Sequence, residues 1–280
     1  KIELCHKETC SLPLEHIPGE AQADFGAADF IERGKRYAGY YLNLAFPHSN
    51  QGYVQLFKGE SQECLFEGLS AIFDYLGGVP GRIWFDNAST MVKNILLGGE
   101  RELTEAFLRF QNHYRFEAVF CNPGAGNEKG SVEAKVGYHR RNLLVPIPRV
   151  ENLSSFNRDL LARCTNDGSR PHYRKDLEIR VLHQQDLTQL LPLPEIPFDC
   201  ATYLPVRINA YGKFTLYKGL HEYSTLPKMA GQRGVAKVTA HTVQVLDETY
   251  RPLVTHDRLY GGKRQSSLQW IPYLTQLAKK

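Results

Sequence analysis

The sequence has no apolar run long enough to cross a bilayer, which argues against a protein that spans a membrane. Its first residues, Lys-Ile-Glu-Leu-Cys, also lack the charged-then-apolar order of a secretory signal. We therefore expect a cytoplasmic protein with no membrane partner. The 280 residues can bury a sizeable core and predict two domains.

Cysteine is sparse and has no framework spacing. The six cysteines are scattered at positions 5, 10, 64, 121, 164 and 200, which predicts reduced thiols rather than disulfides. Cys5, His6 and Cys10 could form half of a zinc site, but no second Cys/His pair follows nearby, and this favours ordinary thiols. Glycine-rich nucleotide loops and the Gly-x-Ser-x-Gly nucleophile motif are also absent.

The net charge of +4 is small but unevenly distributed. Residues 201–280 contain 12 Lys/Arg and 4 Asp/Glu, whereas residues 1–200 contain 22 and 26. A basic C-terminal part attached to a slightly acidic main part favours a polyanionic partner. A basic surface that binds nothing is the alternative that composition leaves open.

Hydrophobic periodicity predicts how the first half of the chain is organised. Period-two runs separated by polar turns predict an antiparallel meander at 21–31, 36–46 and 51–58. Further strands are predicted at 82–85 and 116–121. Helical spacing predicts helices at 64–76, 101–114 and 127–142. Together these elements predict an α/β fold with a mixed five-stranded sheet covered by helices.

The second half is predicted to contain a connector and a β-rich domain. Short β-like runs at 204–208, 213–217, 235–240, 242–246 and 253–259 are typical of a small β-barrel. We therefore divide the chain into an N-terminal extension (1–18), the main α/β domain (19–150), a partly helical connector (151–200), the barrel (201–262) and a tail (263–280).

Three acidic residues are the strongest functional signal. Asp24 lies in an extended run, Asp86 follows the apolar strand at 82–85, and Glu133 lies in the first turns of the helix predicted at 127–142. We expect the two aspartates to lie at strand ends. Carboxylates that are brought together repel one another and lose hydration, so the trio predicts two magnesium ions between them. Such a site performs metal-assisted phosphoryl transfer.

Each carboxylate also has a simpler interpretation. Asp24 taken alone fits a turn cap or a surface position, and Asp86 fits the N-cap of a following helix. Glu128 competes with Glu133, but five residues separate them by about 140° around a helix, so the two cannot serve one site equally. We prefer Glu133 because Glu128 falls at the fraying end of the predicted helix.

The residues around this trio occur in an order that resembles a known family. The segments Gln-Ala-Asp-Phe-Gly, Phe-Asp-Asn and Asn-Pro-Gly-Ala-Gly-Asn-Glu-Lys-Gly-Ser-Val-Glu, followed by Tyr-His-Arg-Arg-Asn, are similar to the catalytic core of the IstA-type transposases of bacterial insertion sequences. The resemblance is strong over about residues 12–150 and less specific over the β-rich tail.

This resemblance implies a ribonuclease-H-like fold, related to retroviral integrases, in which Asp24, Asp86 and Glu133 form the DDE triad. It implies magnesium, or manganese, as the cofactor, and DNA strand cleavage and transfer at transposon ends as the reaction. It also implies a homo-oligomer that pairs two DNA ends, an AAA+ ATPase helper that selects the target, and a place at the bacterial nucleoid.

Polar and basic residues near the trio and in the β-rich tail are predicted to contact DNA, mainly through its phosphates. They are Asn87, Lys129, Lys135, His139, Arg140, Arg141, Lys213, Lys218, Arg233 and Lys237.

The sequence departs from the family pattern at two places. The interval between Asp86 and Glu133 contains an extra helix-like piece, Gly99–Phe107, which leaves open how the third carboxylate reaches the site. The helix-turn-helix region of the family is not among these 280 residues, so we expect either an excised fragment or the loss of specific end recognition. A non-catalytic DNA-binding or assembly module and a plain nuclease of the same fold remain alternatives.

Overall fold

The computed structural model of the chain describes residues 16–85, 91–95, 101–120, 137–247 and 249–277. The described strands are β1 (Glu20–Glu32), β2 (Lys35–Phe46), β3 (Gln51–Phe57), β4 (Arg82–Phe85), β5 (Val92–Ile95), β6 (Arg101–Leu103), β7 (Glu117–Phe120), β8 (Arg149–Val150), β9 (Thr202–Arg207), β10 (Lys213–Leu216), β11 (His221–Ser224), β12 (Arg233–Val238), β13 (Thr242–Leu246), β14 (Pro252–Asp257) and β15 (Gln265–Ser267). The described helices are α1 (Gln62–Leu76), α2 (Glu105–Tyr114), α3 (helical over 137–143), α4 (Leu153–Asp167), α5 (Ile179–Thr188) and α6 (Ile271–Leu277).

The main sheet is mixed, as its sequence pattern predicts. Its strand order is β3-β2-β1-β4-β7, and β8 pairs with the far end of β1. The first three strands form the predicted antiparallel meander, whereas β4 and β7 run parallel to β1. The turn between β1 and β2 places Arg33 and Gly34 at φ values of 49° and 77°, the left-handed pair that a two-residue hairpin turn requires.

One face of the sheet is buried beneath α1. Helical spacing places the apolar stripe of α1 towards the strands, and Leu65, Leu69 and Phe73 are almost fully buried in the same core as Leu42 and Leu44. Contact is close at Gly68, where a Cβ atom would lie 2.6 Å from Leu42 Cδ2. This packing fixes the position of α1 and leaves the opposite face of the meander for other elements.

The helix-like piece predicted at Gly99–Phe107 is wrong over residues 101–103. Here β5 and β6 pair as an antiparallel hairpin, and α2 begins only at Glu105. Thr104 is the N-cap of α2, since its Oγ1 accepts a hydrogen bond from the Phe107 backbone N–H at 3.2 Å. Cross-strand pairing has overridden a local sequence that favours a helix.

The edge strand β3 is covered by α4 from the predicted connector. The Asn157 side chain on α4 accepts from the Leu56 backbone N–H at 2.8 Å and donates to the Leu56 carbonyl at 2.9 Å. An amide that pairs with both backbone groups of an edge residue occupies the place of another strand. The meander is therefore closed on its outer side.

The C-terminal strands form two sheets around one apolar core, and the predicted barrel is not confirmed. One sheet has the order β14-β13-β12-β9 and the other β10-β11-β15. Strands β11 and β15 were not predicted from the sequence. The core that both sheets enclose includes Phe214, Tyr223, Val238, Val243 and Val245.

A buried ion pair joins this C-terminal part to α1. Arg258 donates to Glu63 Oε2 at 3.0 Å and to the Thr239 carbonyl at 2.7 Å, and it also bonds the Tyr217 hydroxyl. Only 2% of the Arg258 side chain and 9% of the Glu63 side chain are exposed. The other carboxylate oxygen of Glu63 accepts from Thr202 Oγ1 at 2.6 Å. A single hydrogen-bonded cluster thus connects the two cores.

Candidate functional site

Asp24 lies in the interior of the central strand β1, not at a strand end as the sequence predicted. The reason is that β1 continues to Glu32, where its outer half pairs with β2 and β8. The carboxylate is half-buried, and its Oδ1 accepts a hydrogen bond from the Phe25 backbone N–H at 2.8 Å. Its neighbours Ala21 and Ala23 point to the opposite face and are buried in the core.

The parallel partner of β1 stops beside Asp24. In the register of β1 and β4, Ala23 is level with Phe85, the last residue of β4. Asp24 follows Ala23 in the sequence and Asp86 follows Phe85. The carboxyl ends of parallel strands are where such sheets gather their ligands.

Most members of the predicted constellation lie outside the described residues. These are Asp86, Asn87, Lys129, Glu133 and Lys135, together with the competing Glu128 and with Cys5, His6 and Cys10 of the half zinc site. Within the part of the chain that the structure describes, no three His, Cys, Asp or Glu side chains are grouped to hold a metal ion.

Asn43 lies directly opposite Asp24 on β2, and sequence reasoning missed it. The antiparallel register pairs the two residues, so their side chains share one face of the sheet. Asn43 is completely buried, and its Oδ1 lies 2.7 Å from Nδ1 of His139 on α3. The signal in the sequence was a single amide inside the apolar run Tyr-Tyr-Leu-Asn-Leu-Ala-Phe.

The prediction that His139 contacts DNA is therefore wrong. Only 1% of His139 is exposed, and its Nδ1 is bonded to Asn43 beneath α3. The next two residues, Arg140 and Arg141, are exposed and remain candidates for phosphate contacts. Consecutive residues of a helix are about 100° apart around its axis, so Arg140 and Arg141 lie on other sides of α3 than the buried His139.

Tyr41 links these groups electrostatically. Burial raises the pKa of the Tyr41 hydroxyl to about 12; the positive charge of Arg140 works against this shift, the Asp24 carboxylate adds to it, and Arg141 opposes it. The phenol therefore stays protonated at neutral pH. Asp24 and both arginines therefore lie near enough to the Tyr41 hydroxyl to influence its pKa.

Gly26 makes room for the Tyr41 ring, which leads to a testable prediction. A Cβ atom at Gly26 would lie 2.4 Å from the Tyr41 hydroxyl oxygen. We expect Gly26→Ala to displace the ring and to lower the free energy of unfolding by about 1–3 kcal/mol, the usual cost of overpacking. Urea denaturation would measure this effect. Gly81→Ala is the matched control, because an added Cβ atom at Gly81 would meet nothing within 4 Å and Gly81 has no positive φ.

A second anchor holds α3 against α4. The Tyr138 hydroxyl donates to Asp167 Oδ1 at 2.7 Å, and Arg170 bonds the other carboxylate oxygen at 3.1 Å. The Arg170 guanidinium also lies over the Tyr138 ring, 4.4 Å from its centre. Two consecutive residues of α3 therefore form hydrogen bonds to two different elements: His139 to the sheet and Tyr138 to α4.

The four cations predicted to bind DNA in the C-terminal part differ in their surroundings. Lys218 and Arg233 are exposed, the first in the turn that follows β10 and the second at the start of β12. Lys213 is paired with Glu222 at 3.1 Å, and Lys237 lies 3.9 Å from Asp199. The first two are therefore better placed for a phosphate than the second two.

The sequence is similar to transposases of several bacteria, although no family model matches it. It is 28% identical over 276 residues to a transposase of Aminobacter aminovorans, covering 96% of this chain and 53% of that protein. It is 27% identical over 277 residues to the transposase for insertion sequences IS1326/IS1353 of Pseudomonas aeruginosa, covering 97% and 54%. The chain thus spans about half the length of the curated relatives that it matches.

Similarity to solved structures is weaker. The HTLV-2 integrase catalytic core domain, solved in complex with magnesium, has 14% sequence identity and a TM-score of 0.38, covering 60% of this chain and 97% of that domain. A TM-score at this level carries no weight for the fold. As for the membrane, none of the helices in the described ranges is long and apolar enough to cross one.

Proposed function

We propose that this chain, a homologue of insertion-sequence transposases, carries the DNA strand-transfer activity of such an enzyme. One observation supports this most strongly. The register of β1 and β4 sets Ala23 level with Phe85, and each of these residues directly precedes one of the two predicted aspartates. We propose that Asp24, Asp86 and Glu133 form one carboxylate site in a ribonuclease-H-like core, and that Glu133 approaches from the chain that leads into α3.

Asp24 fits a magnesium or manganese ion by its chemistry. Hard divalent cations prefer carboxylate oxygens, and magnesium binds through one or two carboxylates together with water and substrate phosphates. The Phe25 backbone N–H donates to Asp24 Oδ1 and so orients the carboxylate. When bound, the metal would activate the attacking hydroxyl or water and stabilise the leaving oxygen.

The protein side chains then have separable tasks. Asp24 supplies negative charge at a fixed place on the central strand. Arg140 and Arg141 are exposed on α3 near that charge and would hold the phosphates of a DNA strand. Phosphate contacts position a substrate without reading its sequence. Such phosphate contacts suit an enzyme that acts in the same way on phosphodiesters of any sequence.

The partners of the whole protein belong to the same proposal. We propose that the chain acts on transposon ends and target DNA at the nucleoid, as a homo-oligomer that pairs two ends. An AAA+ ATPase helper would select the target. The excess of Lys/Arg in residues 201–280 and the exposed Lys218 and Arg233 support DNA contact by the C-terminal sheets.

A strand-transfer assay tests the proposal directly. Labelled, pre-cleaved insertion-sequence ends are incubated with the chain, magnesium and plasmid DNA, and an Asp86→Asn variant serves as the control. We expect joined products from the parent and none from the variant. Hydrolysis without joining would instead identify a plain nuclease, and equal products from both proteins would contradict the enzymatic proposal and favour a DNA-binding module.

Replacing both Arg140 and Arg141 with alanine should weaken DNA binding about tenfold or more at low salt. The reason is that DNA binding releases about one counterion for each phosphate contact. A protein with fewer contacts therefore binds more weakly, and the slope of log affinity against log salt falls by about 1 per lost contact. Fluorescence anisotropy over a series of salt concentrations measures both effects. Arg180→Ala on α5, which removes another exposed arginine, is the control. An unchanged slope in the double variant would contradict the assignment.

A further inference from the structure

The bond between Asn43 and His139 is unusual in its placement. It joins residues 96 positions apart in the sequence and connects the sheet to α3 where both side chains are buried. With the Asn43 amide oxygen as acceptor, His139 must carry a proton on Nδ1 and donate it. The contact is therefore a directional hydrogen bond, made at the sheet position directly across from Asp24.

Among the described residues, the Asn43 side chain has one hydrogen-bond partner, His139. Its Nδ2 is buried and makes no hydrogen bond to any of the described residues. Burying an amide is costly unless it is hydrogen-bonded, so a half-satisfied Asn inside an apolar strand lowers stability relative to an aliphatic residue. Stability alone thus gives no reason for an amide here, whereas a requirement to hold α3 at a defined place does.

The bond matters because of the residues that lie on either side of His139 in the sequence. Glu133 precedes His139 by six residues, and Arg140 and Arg141 follow it. His139 is fixed to β2 beside Asp24, and its neighbour Tyr138 is fixed to Asp167 on α4. Two anchors on consecutive residues set both the position and the rotation of α3, because a helix held at only one point could still turn about its axis.

We propose that Asn43 and His139 are positioning residues, which hold α3 so that Arg140 and Arg141 keep a fixed place relative to Asp24. This inference rests on the proposed function. Replacing a residue that does not bind the metal but orients the residues that do typically changes metal affinity or activity by about 10–100-fold. Neither side chain needs to touch DNA for this effect.

The test compares two substitutions of similar polarity in the whole chain. His139→Asn keeps a donor at the position of Nδ1, because both nitrogens are two bonds from Cβ. His139→Gln moves the amide one bond further out and loses the bond to Asn43. We expect His139→Gln to reduce strand transfer about tenfold or more and to raise the magnesium concentration for half-maximal activity. His139→Asn should stay close to the parent.

Two measurements without turnover complete the test. Hydrogen exchange should show faster exchange at the Leu144 amide, which bonds the Arg140 carbonyl at the end of α3, in His139→Gln but not in His139→Asn. DNA affinity, measured by anisotropy with magnesium omitted, should fall in His139→Gln, because the two arginines lose their fixed place, and should stay within about twofold of the parent in His139→Asn.

The outcomes separate the two proposals. If parent and Asp86→Asn are equally active, the proposed function fails, while exchange at Leu144 still reports whether His139 holds α3. If the parent is active and His139→Gln matches it in rate, magnesium dependence and exchange, the positioning role is wrong. Equal losses of strand-transfer activity in His139→Gln and His139→Asn, in proportion to the fall in their thermal midpoints, would also overturn it. A purely structural role predicts that result.

Discussion

Replacing Asp24 with asparagine is expected to lower the strand-transfer rate by about 10³-fold or more, which corresponds to about 4 kcal/mol of lost transition-state stabilisation. The substitution is nearly isosteric, and the asparagine oxygen can still accept the hydrogen bond from the Phe25 backbone N–H. The fold should therefore survive. What disappears is the negative charge that the proposed metal site requires on the central strand.

The same strand offers a matched control for this experiment. Asp29→Asn makes the identical chemical change five residues along β1, where the carboxylate pairs with Arg36. Side chains of a strand alternate, so Asp29 points to the face opposite Asp24. We expect its rate to remain near that of the parent. DNA affinity and thermal midpoint should be unchanged for both variants, and an active Asp24→Asn protein would remove Asp24 from the chemistry.

Replacing Arg258 with methionine is expected to lower the free energy of unfolding by about 3–5 kcal/mol, the usual cost of breaking a buried ion pair by removing one partner. Glu63 would be left as a buried charge, and the Thr239 carbonyl would lose its donor. Urea denaturation measures the loss. Because the cluster joins α1 to the C-terminal sheets, an early transition of the C-terminal part is also expected.

Two comparisons make this prediction specific. Arg36→Ala removes an ion pair whose partners are 65% and 39% exposed, and such pairs contribute about 0–1 kcal/mol. The double variant Glu63→Gln with Arg258→Met should recover part of the loss because no buried charge remains unpaired. A loss for Arg258→Met as small as that for Arg36→Ala would show that the two cores do not depend on this pair.

Acid should weaken the same cluster. Burial by itself raises the pKa of Glu63, but the positive charge of Arg258 and hydrogen bonds from Thr202 and Ser61 outweigh it, so that the pKa is lowered overall. The resulting stability is fully present above the pKa of the unfolded chain, about 4.3, and is lost as pH falls through the lower folded value. In Arg258→Met this part of the acid sensitivity should be reduced.

The sequence predicted best the elements whose pattern is local. The strands β1 to β4 and the helix α1 were predicted from patterns that recur within a few residues, and the structure confirms these elements. The pairing of β5 with β6 was missed because residues 101–103 favour a helix locally but pair with β5 instead. The capping position of Thr104 was present in the sequence and marks where α2 begins.

Residues of the candidate site also differ in whether the sequence could predict them. Asp24 was identified from its unfavourable place in a strand, and that reading needed only the residue and its neighbours. Asn43 and His139 could not be paired in advance because nothing local relates two positions 96 residues apart. His139 lies beside two arginines in a basic segment and therefore resembled a DNA contact until its burial was known.

The sequence by itself determined where acidic and basic residues stand along the chain and which segments can form strands or helices. The tertiary structure decided which of those groups face one another. It set Asn43 across from Asp24, turned His139 inward and enclosed Arg258 with Glu63. The physical reason is that periodicity is a property of a few consecutive residues, whereas burial and pairing depend on packing summed over the whole fold.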